Sequence, residues 1–195
     1  MWENPVMVNP TDTGINPAHI IRRTQDWLEK AVIGLNLCPF AKAVHRNEQI
    51  RYVVSSATER EALAETLAHE LMHLQETDPA RTDTTLIIHP QVLTDFFDYN
   101  AFLPMADKVV SRLGLTGTIQ IASFHPDYEF ADCATDAIEN YTNRSLYPML
   151  HLLREASIDR AVAAFPEAET IYERNIETLR RLGIEGWKAL GLASQ

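Results

Sequence analysis

The chain has 195 residues, 46% hydrophobic and 23% charged, the balance of an ordinary globular domain. Global disorder, collagen-like repeats and coiled-coil arrays are excluded. Seventeen Lys and Arg against 27 Asp and Glu give a net charge of −10, which argues against nucleic acid or an anionic membrane as the main partner.

Residues 1–16 are polar and rich in Pro and Asn, and are expected to form a flexible arm. They lack the basic and apolar regions of a secretory signal, and no stretch approaches the roughly 18 apolar residues of a membrane span. Two cysteines, Cys38 and Cys133, are too few for a disulfide framework. A cytoplasmic, reduced protein is the expectation. Residues 17–195 show no repeat and no linker, so they are taken as a single domain.

The first periodic segment opens at Asn16-Pro17, a cap followed by a favoured first helical residue. Ile20, Ile21, Trp27, Leu28, Ala31 and Val32 recur at helical spacing, and Gly34 is the expected stop. Cys38-Pro39 then looks like the start of another helix, with Cys38 at or near its cap. Arg51–Ser55 is a β-type run. Thr58 and Glu61 fit a capping box before the Leu63, Leu67, Leu71, Leu74 stripe. Thr84–Ile88 reads as a second strand, ending at His89-Pro90. A helical region from about Val92 to Leu113 follows, which Pro104 is expected to divide or kink. Thr118–Phe124 is the third strand, ending at His125-Pro126. Beyond Ala134 the chain reads as mostly helical, with Leu150, Leu152 and Leu153 in one helix and a long helical region at the C-terminus. Strand and helix alternate through the middle. The expected fold is therefore α/β, with a small, largely parallel sheet of three clear strands flanked by helices.

Residues 124–155 hold most of the polar chemistry: two His, several carboxylates and five aromatics, with no Lys and no Gly. The run begins at a strand C-terminus, where open parallel sheets bind ligands. His125 is a candidate general acid or base, with Asp127 to orient it or to bind a metal. Arg144 and Arg154 are candidates for gripping a carboxylate or phosphate. Asn143 would help position it, and His151 and Glu155 complete the candidate lining. Each has a bland counterpart: a hydrogen-bonded structural histidine, or an arginine in a salt bridge. Cys38 at a helix N-terminus would have a lowered pKa and serve as nucleophile or ligand. Its other reading is a small buried hydrophobe between Leu37 and Phe40. A His-x-Asp spacing plus a thiol is compatible with a divalent metal, though far weaker than paired CxxC motifs.

His69-Glu70-Leu71-Met72-His73 matches the zinc-protease pattern H-E-x-x-H. The wheel places both histidines opposite the leucine stripe, among Glu59, Glu61, Glu65 and Glu76, and no HxxGxxH continuation follows. The metalloprotease reading is therefore disfavoured.

Three long words remain: Val32-Ile-Gly-Leu-Asn-Leu-Cys-Pro-Phe-Ala41, Ala122-Ser-Phe-His-Pro-Asp-Tyr128, and Asn140-Tyr-Thr-Asn-Arg-Ser145 continuing through Tyr147-Pro-Met-Leu-His-Leu-Leu-Arg-Glu155. On these words the chain resembles the DUF1415 family, a bacterial domain of unknown function, over roughly residues 20–190. The family pattern has Pro where Leu146 stands here, which bears on the rigidity of that turn. The H-E-x-x-H lies outside these words. The resemblance implies no particular activity, fold or cofactor, but its words hold Cys38, His125, Asp127, Asn143, Arg144, His151, Arg154 and Glu155. Two function classes are expected: an enzyme acting on a small anionic metabolite, and a non-catalytic ligand- or partner-binding protein.

Overall fold

A computed structural model describes residues 16–164 and 170–192. The arm expected over residues 1–16 lies outside the described residues except for Asn16.

The Asn16 side chain accepts from the His19 N–H and Pro17 opens helix α1 (Pro17–Trp27), as the capping residues imply. The helical segment ends where expected but not as one α-helix. The backbone continues past Trp27 as a π-helical segment, Leu28–Ile33, with Gly34 as its cap, and the chain reverses at Asn36. Asn36 takes φ 55°, and the Leu37 N–H reaches back to the Val32 carbonyl at 2.9 Å. That is a Schellman closure with Asn in the left-handed position. Gly34 serves close packing instead. A Cβ there would sit 2.3 Å from the Lys30 carbonyl oxygen. Helix α2 (Ala41–Arg46) follows after Pro39.

Four strands form one sheet: β1 (Ile50–Val54), β2 (Thr84–Ile88), β3 (Ile119–Phe124) and β4 (Met149–Arg154), in the order β1-β2-β4-β3. β1 and β2 are parallel, and β4 is antiparallel to both β2 and β3. The sheet is mixed, which corrects the largely parallel expectation, and the segment expected to be a helix around Leu150 is β4. The cause is double-sided burial. Leu150 and Leu152 enter one core cluster and Met149 the other, so the alternation that marks a strand disappears. β1, β2 and β3 still run in one direction, so His89 and His125 follow strands that end on the same side of the sheet.

Helices α3 (Arg60–Glu76) and α4 (Phe96–Arg112) cover one face, where Leu63, Leu67, Leu71, Leu74 and Phe102 are buried. The Thr58–Glu61 capping box does not form; Glu59 precedes the helix without a side-chain cap. Asp95 caps α4 by accepting from the Asp98 N–H, and Pro104 lies within one continuous helix. The opposite face is covered by α1, the π segment and the end of α6 (Ile171–Ala189), with Trp27, Leu28, Leu86 and Met149 buried between. Helix α5 (Glu155–Ala164) follows β4 directly. Among the described residues, no helix is long and apolar enough to cross a membrane.

Candidate functional site

The three words meet around the second core cluster. The Trp27 indole N–H donates to the Arg144 carbonyl at 3.0 Å, and its ring meets Phe124 edge-on at 5.5 Å. Cys38 and Leu146 pack in the same cluster. The words share a corner, but its polar groups are turned inward.

His125 has no exposed surface. Its Nε2–H donates to the Leu93 carbonyl at 3.2 Å, and its Nδ1 accepts from the Asp127 N–H at 3.0 Å. Both ring nitrogens are used, which fixes the neutral tautomer and leaves no lone pair for a metal. Burial lowers its pKa. Asp127 itself is exposed and touches His125 through its backbone. Asn143 donates its amide to the Ser123 carbonyl, and its own carbonyl accepts from the His125 N–H. Arg144 clamps the loop before it, donating to the Tyr128 and Thr135 carbonyls at 3.2 and 2.7 Å while lying over the Tyr141 ring at 4.5 Å. It holds chain, not a free anion.

The remaining candidates are dispersed. His151 lies mid-sheet on β4, paired with Leu86 and Ala122. Its Nε2 meets the Thr84 hydroxyl at 2.6 Å, and burial pushes its pKa down to about 4. Because Thr84 donates to the Leu152 carbonyl, the imidazole supplies the proton in that contact. Arg154 caps the end of α3. Its guanidinium donates to the carbonyls of Leu74 and Thr77, the negative end of the helix dipole, and to the Thr82 carbonyl in the loop beyond. Glu155 opens α5, with its N–H on the Thr118 carbonyl. Cys38 stands before α2, but Phe40 is the cap residue. Burial pushes the Cys38 thiol up, against the opposing pull of the Phe40 and Ala41 amides. The lowered pKa expected from the helix N-terminus is not realised.

The H-E-x-x-H segment is tied to the fold. Glu70 is buried and takes a bidentate grip from Arg51, at 2.7 and 3.1 Å. Burial alone would raise its carboxyl; the hydrogen bonds and charge of Arg51, aided by His69, bring it below the usual range. His69 points out, 75% exposed. Among the described residues, no group of three or more His, Cys, Asp or Glu is placed to hold a metal ion.

Tyr99 and Asn140 organise the corner, and neither stands out in the sequence. The Tyr99 ring lies 5.8 Å from His89 and 5.1 Å from His125. Its hydroxyl accepts from the Phe124 N–H and donates to the Met149 carbonyl, bridging the last pair of the β3–β4 ladder. Asn140, fully buried, donates to the Ala134 and Thr135 carbonyls and accepts from the Phe130 N–H. Both work on partners distant in the chain or on bare backbone, which no local pattern signals.

An open space lies elsewhere. A cleft of about 630 Å³ is bounded by α1, the π segment, α2 and the edge strand β1. Glu29 and His45 face each other there, Oε1 to Nε2, at 3.1 Å. Lys42 and Arg46, both exposed, also line it, one helical turn apart on α2, and among the described residues neither side chain makes an ion pair or hydrogen bond. Ile33 and Ile50 supply apolar wall. Tyr52 projects from β1 into the same lining. Its hydroxyl is buried without a partner, and burial together with the Glu29 charge pushes its pKa up to about 12. The π segment that carries Glu29 is a helix type that recurs at functional sites. Glu48, at the cleft margin, takes φ 57° after α2, a left-handed turn usually given to Gly. This volume is of the size that takes a small molecule.

No curated protein and no solved structure is detectably similar to the chain. The profile of DUF1415, described as a protein of unknown function, matches residues 19–189, from α1 through the last turn of α6. The chain belongs to the DUF1415 family.

Proposed function

We propose that the protein acts in the cytoplasm as an enzyme on a small anionic metabolite, and that the metabolite sits in the cleft between α1, α2 and β1. The observation that carries this reading is the pair of unpartnered cations, Lys42 and Arg46, lining the same cleft as the Glu29–His45 pair. In a chain of net charge −10, two cations in one cleft with no carboxylate at ion-pair distance favour an anionic guest. Arg46 supplies a planar fork for carboxylate or phosphate, and Lys42 a point charge. With the His45 Nε2–H donated to Glu29, Nδ1 keeps its lone pair and can take a proton as a general base. The buried corner of His125, Asn143 and Arg144 then supports the fold.

Thermal unfolding against a panel of small carboxylates and phosphate monoesters tests this. At least one should raise the midpoint saturably, and the double variant K42A/R46A should abolish the rise. If none stabilises the wild-type protein, the reading fails. The sealed state of His125 favours a second reading, in which the cleft binds the anion without chemistry. It predicts that the stabilising anion is recovered unchanged after prolonged incubation, by NMR of the ligand.

A further inference from the structure

We propose that Tyr52 is the specificity residue of the cleft, selecting anions that carry a hydroxyl or carbonyl oxygen beside the charged group. This rests on the anion-binding reading above and narrows the class of ligand. Most buried polar atoms find a partner, so an orphan calls for a reason. The Tyr52 hydroxyl is such an orphan, and it belongs to a side chain lining the cleft. None of the side chains sharing the lining bonds to it: Ile33 and Ile50 are apolar, and the Glu29 carboxylate meets His45. The phenol stays protonated at neutral pH, since its pKa stands near 12. It therefore presents an O–H donor and free lone pairs. A simple carboxylate satisfies the cations and leaves the phenol bare. A keto or hydroxy carboxylate satisfies both.

The hydroxyl is closed to water in this state, so a guest reaches it by parting a neighbour. The neighbour to part is Glu29, whose charge is felt at the phenol and whose side chain is 57% exposed. The guest's second oxygen would then meet Tyr52 where the Glu29 charge is now felt.

The test uses three matched probes on the full chain: glutarate, 2-hydroxyglutarate and 2-oxoglutarate, titrated by calorimetry into wild type, Tyr52→Phe and K42A/R46A. The wild type should prefer the oxygenated probes by about 3- to 10-fold, the effect of one neutral hydrogen bond. Tyr52→Phe should bind all three as wild type binds glutarate. K42A/R46A should lose all three. Equal binding of the three probes by wild type, with K42A/R46A still silent, overturns the role of Tyr52 and leaves the anion site standing. A preference that survives in Tyr52→Phe does the same. No saturable binding of any probe overturns both. Thermal unfolding of Tyr52→Phe without ligand adds an independent arm. Removing an orphaned hydroxyl should leave the midpoint unchanged or raise it. A marked fall would reveal a protein partner for the hydroxyl and overturn the inference.

Discussion

His125 and His45 make the sharpest contrast in the molecule. His125 follows a strand, in a run dense with aromatics and carboxylates, and both its nitrogens are spent on backbone groups in a fully buried corner. His45 lies on a six-residue helix, partly exposed, with one nitrogen on Glu29 and a cleft beside it. The difference teaches what polar density in a sequence means. Side chains crowded into one stretch, as in residues 124–145, are used to satisfy the carbonyls and amides of an irregular loop. The groups proposed to meet a guest come from separate elements: Glu29 from the π segment, Lys42 and Arg46 from α2, Tyr52 from β1.

The contrast breaks most visibly on stability. Arg144→Ala removes two charged hydrogen bonds to carbonyls and the contact with Tyr141, and should cost about 3 kcal/mol in denaturant unfolding. If Arg144 were a ligand-binding residue, the same change would leave stability nearly intact. Tyr99→Phe should cost somewhat less, about 2 kcal/mol, because the Phe124 N–H and Met149 carbonyl lose their bridge.

Acid separates the regions next. His89 and His151 have native pKa values near 4, lowered by burial, while the unfolded chain returns to about 6.5. Between those values the unfolded state binds more protons than the native state. Stability contributed by the two neutral imidazoles is thus intact above about pH 6.5 and falls as pH drops toward 4. Each contributes a slope of up to about 1.4 kcal/mol per pH unit. Unfolding free energies measured from pH 7 to 4 should show that decline, and His151→Gln should flatten it by one proton's worth.

The smallest expected effect sharpens the comparison from the other side. Lys42→Ala and Arg46→Ala should each change unfolding free energy by less than about 0.5 kcal/mol, as ordinary surface substitutions do. A large loss in either would make the cleft another structural corner.

Much of the fold was legible. Three strands stand out because Thr, Val and Ile supply β-branched runs, as in Thr84-Thr85-Leu86-Ile87-Ile88. The fourth was hidden because Met149-Leu-His-Leu-Leu-Arg154 has no β-branched residue and is buried toward both faces, so its pattern equally fits a helix. With β4 inserted between β2 and β3, the sheet became mixed. The corner was located by its residues, but not its environment: nothing local says that His125 faces Leu93 across more than thirty positions, or that Arg154 caps a helix ending near Glu76. The cleft residues Lys42, His45 and Arg46 follow Cys38 within eight positions but form no recognisable motif. Glu29 and Tyr52 join them only when the chain folds.

The most direct measurement is an amide chemical-shift titration of the full chain with glutarate. Saturable shifts are expected in residues 25–52 alone, strongest around Glu29, Lys42, Arg46 and Tyr52, with residues 123–145 silent. Shifts clustered instead around His125, Asn143 and Arg144 would contradict this assignment and return the site to the corner.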